Sequence, residues 1–354
     1  MRRLRLSLSE LEANAFLVGH LPNIRYLCGF TGSAGLLLVE TTGSTFFTDS
    51  RYTFQAREEV RGARIRIVKR GLWQAAGETL RHRRGHCRVA YSPASLTVAQ
   101  KSAVESAAGA VRIRWIPDRN AVEKLRAVKD YAELALMRQA ARLISEVFTA
   151  VLPRIKPGQT ELNVAAEIEY EIKSRGAEGP SFETIVASGP RSAWPHARPS
   201  SKRLKKNELV VLDHGAILRG YCSDLTRTVY LGRAPRKVRG LYQAVLEAQE
   251  AAKAAIRPGV KAGDVDRAAR AVLSRSGLGR YFTHSTGHGL GLEVHEMPRL
   301  GKGEESVLQE GMVVTVEPGV YVEGRGGIRI EDDVVVTARG AVDLTTAPRD
   351  FLEL

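Results

Sequence analysis

The sequence predicts an α+β protein in two parts, a smaller N-terminal α/β domain and a larger C-terminal α+β domain. Three observations lead there. Short strand-like and helical segments alternate through roughly the first third of the chain, the pattern of a mixed sheet covered by helices. Beyond it the helical periodicities lengthen, and apolar strand-like runs come from distant stretches. A length of 354 residues is too great for one small domain and comfortable for two. The boundary is expected within Pro117 to Lys129, giving domains 1–120 and 121–354.

In order, Ala15 to Val18 reads as a strand. Leu36 to Val39 and Thr45 to Thr48 flank Thr41-Thr42-Gly43 and read as a hairpin. Arg51 to Val60 reads as helix, Ile65 to Val68 as strand, and Leu72 to Arg83 as helix. Val89 to Tyr91, a helix near Val98 to Ala108, and Val111 to Trp115 complete the pattern. Neither a glycine-rich phosphate loop nor a cluster of histidines or acids stands out here. After the boundary, Leu134, Met137, Ala141, Ile144, Phe148 and Val151 recur at helical spacing and predict a helix over Tyr131 to Leu152. Thr160 is a good N-cap for a second helix reaching about Arg175. Further helices are expected over Lys237 to Ile256 and Gly263 to Ser276. Leu209 to Leu212, Met312 to Val316 and Val334 to Val336 read as strands.

Composition narrows the function classes. No run of ~20 apolar residues offers a spanning helix, and the basic N-terminus lacks the apolar stretch of a secretory signal, so a cytoplasmic protein is expected. Cys28, Cys87 and Cys222 are few, odd in number and far apart, which implies neither a disulfide framework nor a thiolate zinc site. The formal net charge is +14. Its basic residues read as mostly spread along the chain, clustered only at Arg81–Arg84 and Lys202–Lys206, without interleaved aromatics. Nucleic acid is therefore not an expected partner, and an Arg-rich composition is the simpler cause.

The chemistry sits at strand ends. Leu209-Val210-Val211-Leu212 runs into Asp213, and Asp224 follows eleven residues on. A turn over Gly215 to Tyr221 would bring the two carboxylates together. A pair between Asp224 and Arg227, or a turn role, is the alternative. The pattern repeats where Met312 to Val316 runs into Glu317-Pro318-Gly319, and Glu331 follows fourteen residues on, ahead of a β-branched run. Four carboxylates together repel unless cations hold them. Hard divalent ions prefer such oxygen donors. His284, His288 and His295 lie within twelve residues, and His288 sits between glycines that let the backbone approach a ligand closely.

From Tyr131 to Asp343 these residues resemble the pita-bread metallopeptidases, the family of Xaa-Pro dipeptidases (prolidases), Xaa-Pro aminopeptidases and methionine aminopeptidases. Five motifs carry the resemblance: Ser188-Gly189-Pro190 to Pro195-His196, Asp213 to Ala216, Gly220 to Thr228, Gly287-His288-Gly289, and Glu317-Pro318-Gly319 with Arg329 to Asp332. His196, His295 and the N-terminal third, which looks like a creatinase-like domain, fit the prolidase and Xaa-Pro aminopeptidase branch. The short N-terminal domain leans toward the dipeptidase.

The resemblance implies two divalent ions per subunit, manganese first, with cobalt or zinc as alternatives. Asp213 would chelate one and His288 with Glu317 the other, while Asp224 and Glu331 would bridge. The ions would activate a water and polarise the scissile carbonyl before proline. His284 and His295 would supply donors or pass a proton to the leaving nitrogen, and His196 would contact the leaving side. Arg329 shares a strand face with Glu331 and is expected to orient carboxylates or to pair with Asp224, a structural role being the alternative. Tyr221 and Arg299 are weaker substrate-side candidates, Arg299 having an exposed loop position as its alternative. Proline-containing di- or oligopeptides are the implied partners, and a homodimer the implied assembly. The competing reading is a non-catalytic pita-bread binding protein. Such relatives lose metal ligands, and none is lost here.

Overall fold

The computed structural model describes residues 1–82 and 86–354 and divides into two compact units, Met1–Arg126 and Ala127–Leu354. Arg83 and Arg84 of the N-terminal basic run lie outside the described residues.

The first unit is built on a six-stranded mixed sheet. Its order is Arg64–Val68, Ser44–Asp49, Leu36–Glu40, Ala15–Val18, His86–Tyr91 and Arg112–Pro117. Side chains alternate across a strand, so Phe16 and Val18 face one side and Ala15 and Leu17 the other. Phe16 and Val18 join Leu4, Leu8, Ile24 and Leu27 in one core, while Ala15 and Leu17 join Ala76, Leu80 and Val104 in a second. Helices therefore cover both faces, as a sheet with a buried centre requires. Arg2–Glu10 and Leu21–Cys28, like Ala121–Ala127 at the boundary, are absent from the sequence reading. The first turns only Leu4 and Leu8 inward among basic and polar neighbours, and the second is a short helix with Pro22 in its first turn. The helix expected over Leu72 to Arg83 closes at Leu80.

The second unit repeats one arrangement twice. A three-stranded antiparallel sheet places Leu209–His214 between Ile185–Ser188 and Leu225–Tyr230. The helices Tyr131–Val151 and Glu161–Ser174 bury Ile144, Phe148, Val164 and Ile168 in one core with Val210, Leu212 and Val229. A five-stranded antiparallel sheet runs Glu296–Leu300, Gly287–Gly289, Val313–Val316, Asp332–Thr337, Gly340–Asp343. The helices Arg236–Ala255 and Ala262–Arg275 share a core with that sheet, through Val245, Ala248, Val265 and Leu273 on Val314, Val316 and Val334. The first pair of these helices begins on side-chain caps. Asp130 and Thr160 both close reciprocal caps, with Glu133 and Asn163.

Net charge is shared unequally between the units because the acids, not the basic residues, are unevenly spread. The first 126 residues hold 21 Lys and Arg against 10 Asp and Glu, and the remaining 228 hold 32 against 29. The second unit balances its cations with acids, many of them buried. Among the described residues, no helix is long and apolar enough to cross a membrane.

Candidate active site

Each sheet of the second unit delivers two acids. Leu209–His214 pairs with Leu225–Tyr230 so that Asp213 lies opposite Thr226, two residues beyond Asp224. Val313–Val316 pairs with Asp332–Thr337 so that Val316 meets Asp332, which places Glu317 and Glu331 just past the paired ends. A small hairpin fills each connection, Ala216–Leu218 with Tyr221–Cys222 in the first and Gly319–Val322 with Gly326–Arg329 in the second. The two strand pairs are stitched together where the Glu331 amide donates to the Thr226 carbonyl at 3.1 Å.

The acids meet in a cavity of about 710 Å³. Asp213, Asp224, His288, Glu317 and Glu331 all line it, together with His196, His284, His295, Arg299 and Arg329. His288 stands at the centre, its Nε2 3.8 Å from Asp224 and 3.6 Å from Glu317. Its Nδ1 lies 3.0 Å from the Gly289 carbonyl, which can only accept. The proton therefore sits on Nδ1, and the Nε2 lone pair faces the acids. The flanking glycines are forced by crowding. A Cβ on Gly287 would stand 2.0 Å from the Thr315 carbonyl oxygen, and one on Gly289 2.1 Å from that of Met297.

These residues fit a bound divalent cation. Asp224, His288 and Glu331 offer ligand atoms that all lie within 4.8 Å of one another. Asp213 Oδ1 and Asp224 Oδ1 are buried without a hydrogen-bond partner among the described residues. Buried carboxylate oxygens of this kind are costly unless something positive meets them. Without it, burial and the neighbouring acids push the carboxyls of Asp224 and Glu331 well above the ordinary range. Burial does the same to Glu317, up to about 8, although Arg329 opposes it. Burial drives His288 down to about 4, helped by His295, whose ring centroid is 4.3 Å away.

Arg329 organises one wall. Its Nη2 donates to Asp213 Oδ2 at 2.5 Å, its Nε to Thr226 Oγ1 at 3.1 Å, and its Nη1 to Tyr321 Oη at 2.7 Å. The expected pairing with Asp224 is thus replaced by one with Asp213, because Arg329 lies across from the end of the Leu209–His214 strand. The Thr226 hydroxyl in turn donates a hydrogen bond to Glu331 Oε2 at 2.6 Å. Tyr321 Oη lies 2.9 Å from His284 Nε2. His284 Nδ1 faces the Ser285 carbonyl at 2.8 Å, so Nδ1 carries the proton and Nε2 accepts from Tyr321. Neither nitrogen of His284 then presents a free N–H to the cavity, and burial lowers its pKa to about 4. His196, His295 and Arg299 are exposed at the rim.

Tyr221 is not among the cavity-lining residues, since its hydroxyl turns to Glu133 Oε1 at 2.8 Å on the Tyr131–Val151 helix. Arg227 does not pair with Asp224 but with Asp332, at 2.8 Å in the interior. Tyr321 and Thr226 are site residues that the sequence reading missed. The available signal was strand alternation. Thr226 lies two residues past Asp224, and Tyr321 lies on the hairpin that carries Arg329. Asp266 was missed as well. It accepts from the amide and hydroxyl of Thr286, at 3.2 and 2.8 Å, and pairs with Arg270, which reaches the Phe282 and His284 carbonyls. That clasp fixes the segment carrying His284.

The same architecture occurs in known proteins. The family model described as metallopeptidase family M24 matches residues 135–338, and that of the creatinase/prolidase N-terminal domain matches residues 1–128. An Xaa-Pro dipeptidase of Pyrococcus horikoshii is 35% identical over 96% of this chain and 94% of its own length. The solved structure of an Xaa-Pro dipeptidase from Bacillus anthracis superposes with a TM-score of 0.95 at 36% identity, covering 100% of this chain and 98% of that one. That of an X-Pro aminopeptidase from Thermotoga maritima gives 0.89 at 37% identity, covering 99% and 100%.

Proposed function

The chain belongs to metallopeptidase family M24, and on that premise we propose that this metallo-exopeptidase hydrolyses the Xaa-Pro bond of dipeptides, as an Xaa-Pro dipeptidase. The observation that carries the proposal is the convergence of Asp224, His288 and Glu331 within 4.8 Å, beside Asp213 and Glu317 in one cavity. Asp213, Asp224, His288, Glu317 and Glu331 would hold two divalent ions. Manganese suits a set of four carboxylates and one imidazole without sulfur. When bound, the ions supply an activated water and polarise the scissile carbonyl.

The chain's own groups do the rest. Arg329 holds Asp213 in place and, through Tyr321, fixes His284. His295, exposed at the rim beside His288, delivers the proton that the tertiary amide nitrogen of proline needs in order to leave. His196 and Arg299 take the substrate carboxylate, with Arg198, paired with Glu183 at 3.0 Å, on the same rim. Likeness along the full chain to the Pyrococcus horikoshii and Bacillus anthracis dipeptidases supports this specificity. The likeness to the Thermotoga maritima aminopeptidase favours a second reading, removal of the first residue from longer Xaa-Pro peptides. A homodimer in the cytoplasm completes the proposal.

Product analysis with Ala-Pro and with a longer Ala-Pro-Xaa peptide separates the two. Manganese-loaded protein should release alanine and proline from the dipeptide and leave the longer peptide largely intact, and chelation should abolish the reaction. Faster cleavage of the longer peptide would establish the aminopeptidase instead.

A further inference from the structure

The segment from Ser188 to Ser200 brings Pro195, His196, Ala197 and Arg198 to the cavity, and its regular structure is a short 3-10 turn at Gly189–Ala193. The Gly327 amide, donating to Ser192 Oγ at 2.9 Å, holds its middle, and Glu161, the first residue of the Glu161–Ser174 helix, holds its two ends. Glu161 is wholly buried and is not among the cavity-lining residues. Its Oε1 accepts from the amide and hydroxyl of Ser188, at 2.9 and 2.8 Å. Its Oε2 accepts from the amide and hydroxyl of Ser200, at 3.0 and 2.7 Å, and from Arg191 Nε at 3.0 Å.

One carboxylate therefore ties both ends of the loop, twelve residues apart. Arg191 extends the tie inward by donating from Nη2 to the Arg198 carbonyl at 2.5 Å. At the tip, the Pro195 carbonyl accepts from Arg329 Nη1 at 3.1 Å. The tip is thus registered on the residue that holds Asp213, and the base on a buried acid. Charge-assisted bonds of this kind are about twice as strong as neutral ones. A loop tied at its base pays less ordering entropy when a ligand meets it.

We propose that Glu161 is a positioning residue that sets substrate affinity by holding His196 and Arg198 over the cavity, a role that rests on the dipeptidase reading. Because Glu161 touches no candidate metal ligand, its loss moves the binding wall and leaves the metal centre in place.

The test is Glu161→Gln, of equal shape but without the charge to gather five donors, measured beside Glu161→Asp and Arg191→Ala. Glu161→Gln should raise KM for Ala-Pro about tenfold or more, the scale of a small misplacement of binding groups, with kcat within a few-fold and manganese content unchanged. Glu161→Asp, which keeps the charge, should recover part of the affinity. Arg191→Ala, which cuts only the inner tie, should show a smaller rise of the same kind. An unchanged KM in Glu161→Gln overturns the assignment. So does a loss of kcat and manganese at constant KM. Limited trypsin digestion reads the loop independently of any activity. Cleavage after Arg191 and Lys202 in Glu161→Gln, and after Lys202 in Arg191→Ala, which lacks the first site, should accelerate while the rest of the chain resists, and unchanged loop cleavage in both overturns the assignment. If the wild-type protein cleaves no Xaa-Pro peptide, the dipeptidase reading falls, and the digestion still decides whether Glu161 holds the loop.

Discussion

Glu331 and Asp332 are neighbours in sequence, equally buried, and opposite in circumstance. Glu331 turns to Asp213, Asp224 and Glu317, with one hydroxyl from Thr226. Asp332 turns the other way, to Arg227 at 2.8 Å and Arg349 at 2.6 Å, with Thr345 and Gln249 filling the remaining lone pairs. The partner strand alternates in step, since Thr226 serves the first cluster and Arg227 the second. Burial presses both carboxyls upward. The arginines outweigh it for Asp332, which lies below the ordinary range, and nothing outweighs it for Glu331, which lies well above. The protein thus shows how it settles buried acid where stability is the purpose. The unsettled cluster is the one that requires an added cation.

Substitutions break this comparison at either end. Asp224→Asn should remove nearly all turnover, because it takes a carboxylate from the centre of the unsettled cluster. The metal-free fold should hold or stiffen, since one repelling group is gone. Near-native rates with full metal content would overturn the ligand assignment. Asp332→Asn should do the reverse, costing about 3–5 kcal/mol of stability by leaving Arg227 and Arg349 inside with an incomplete partner. Denaturant unfolding measures the loss, and metal stoichiometry in the surviving fold should stay at the wild-type value.

The pH response sharpens the contrast. Asp224, Glu317 and Glu331 have folded pKa values raised above their unfolded ones, so their contribution to stability is full below about pH 4 and is lost as pH rises through the folded values. Metal-free protein should therefore melt lower at pH 8 than at pH 6, and manganese should reverse the trend. Loading should also release protons, measurable by calorimetry in buffers of different ionisation heat. Asp332, depressed, behaves oppositely. Its contribution is present above about pH 4 and is lost as pH falls through its lower folded value. Metal uptake without proton release between pH 6 and 8 would refute the account of the unsettled cluster.

Much of the site was legible because an acid directly after a buried strand is expensive, and the chain does this at both Asp213 and Glu317. A helix start was legible where Thr160 supplies a side-chain cap, and the Asp130 cap of the preceding helix came only with the structure. Partnerships across sheets were not. That Arg329 reaches Asp213 and not Asp224 depends on the docking of two strand pairs that are separate in sequence. Tyr221 turned to Glu133 for a similar reason, as the helix packed beside it decides which way the hydroxyl points. Glu161 carries no sequence mark beyond following an N-cap, and its five donors come from residues 188 to 200. In the first unit, two short helices escaped because their inward faces hold few large apolar residues.

The Asp332–Thr337 strand bears one more consequence. With the residue before it, it reads Glu331-Asp332-Asp333, then Val334-Val335-Val336. Acids follow acids and valines follow valines, so a slip of one residue would offer much the same chemistry to each face. The information that tells the two faces apart is not written in the strand. It lies in the connections at its ends. Thr337 meets Gly340 across a two-residue turn, with the Thr337 hydroxyl donating to the Gly340 carbonyl at 2.8 Å. The Gly319–Arg329 hairpin meters the chain on the other side. Turn length fixes register, and a one-residue slip reverses every side chain. A single deletion in the Gly319–Arg329 hairpin, which joins Val313–Val316 to this strand, would trade Glu331 for Asp332 in the site while altering no candidate ligand.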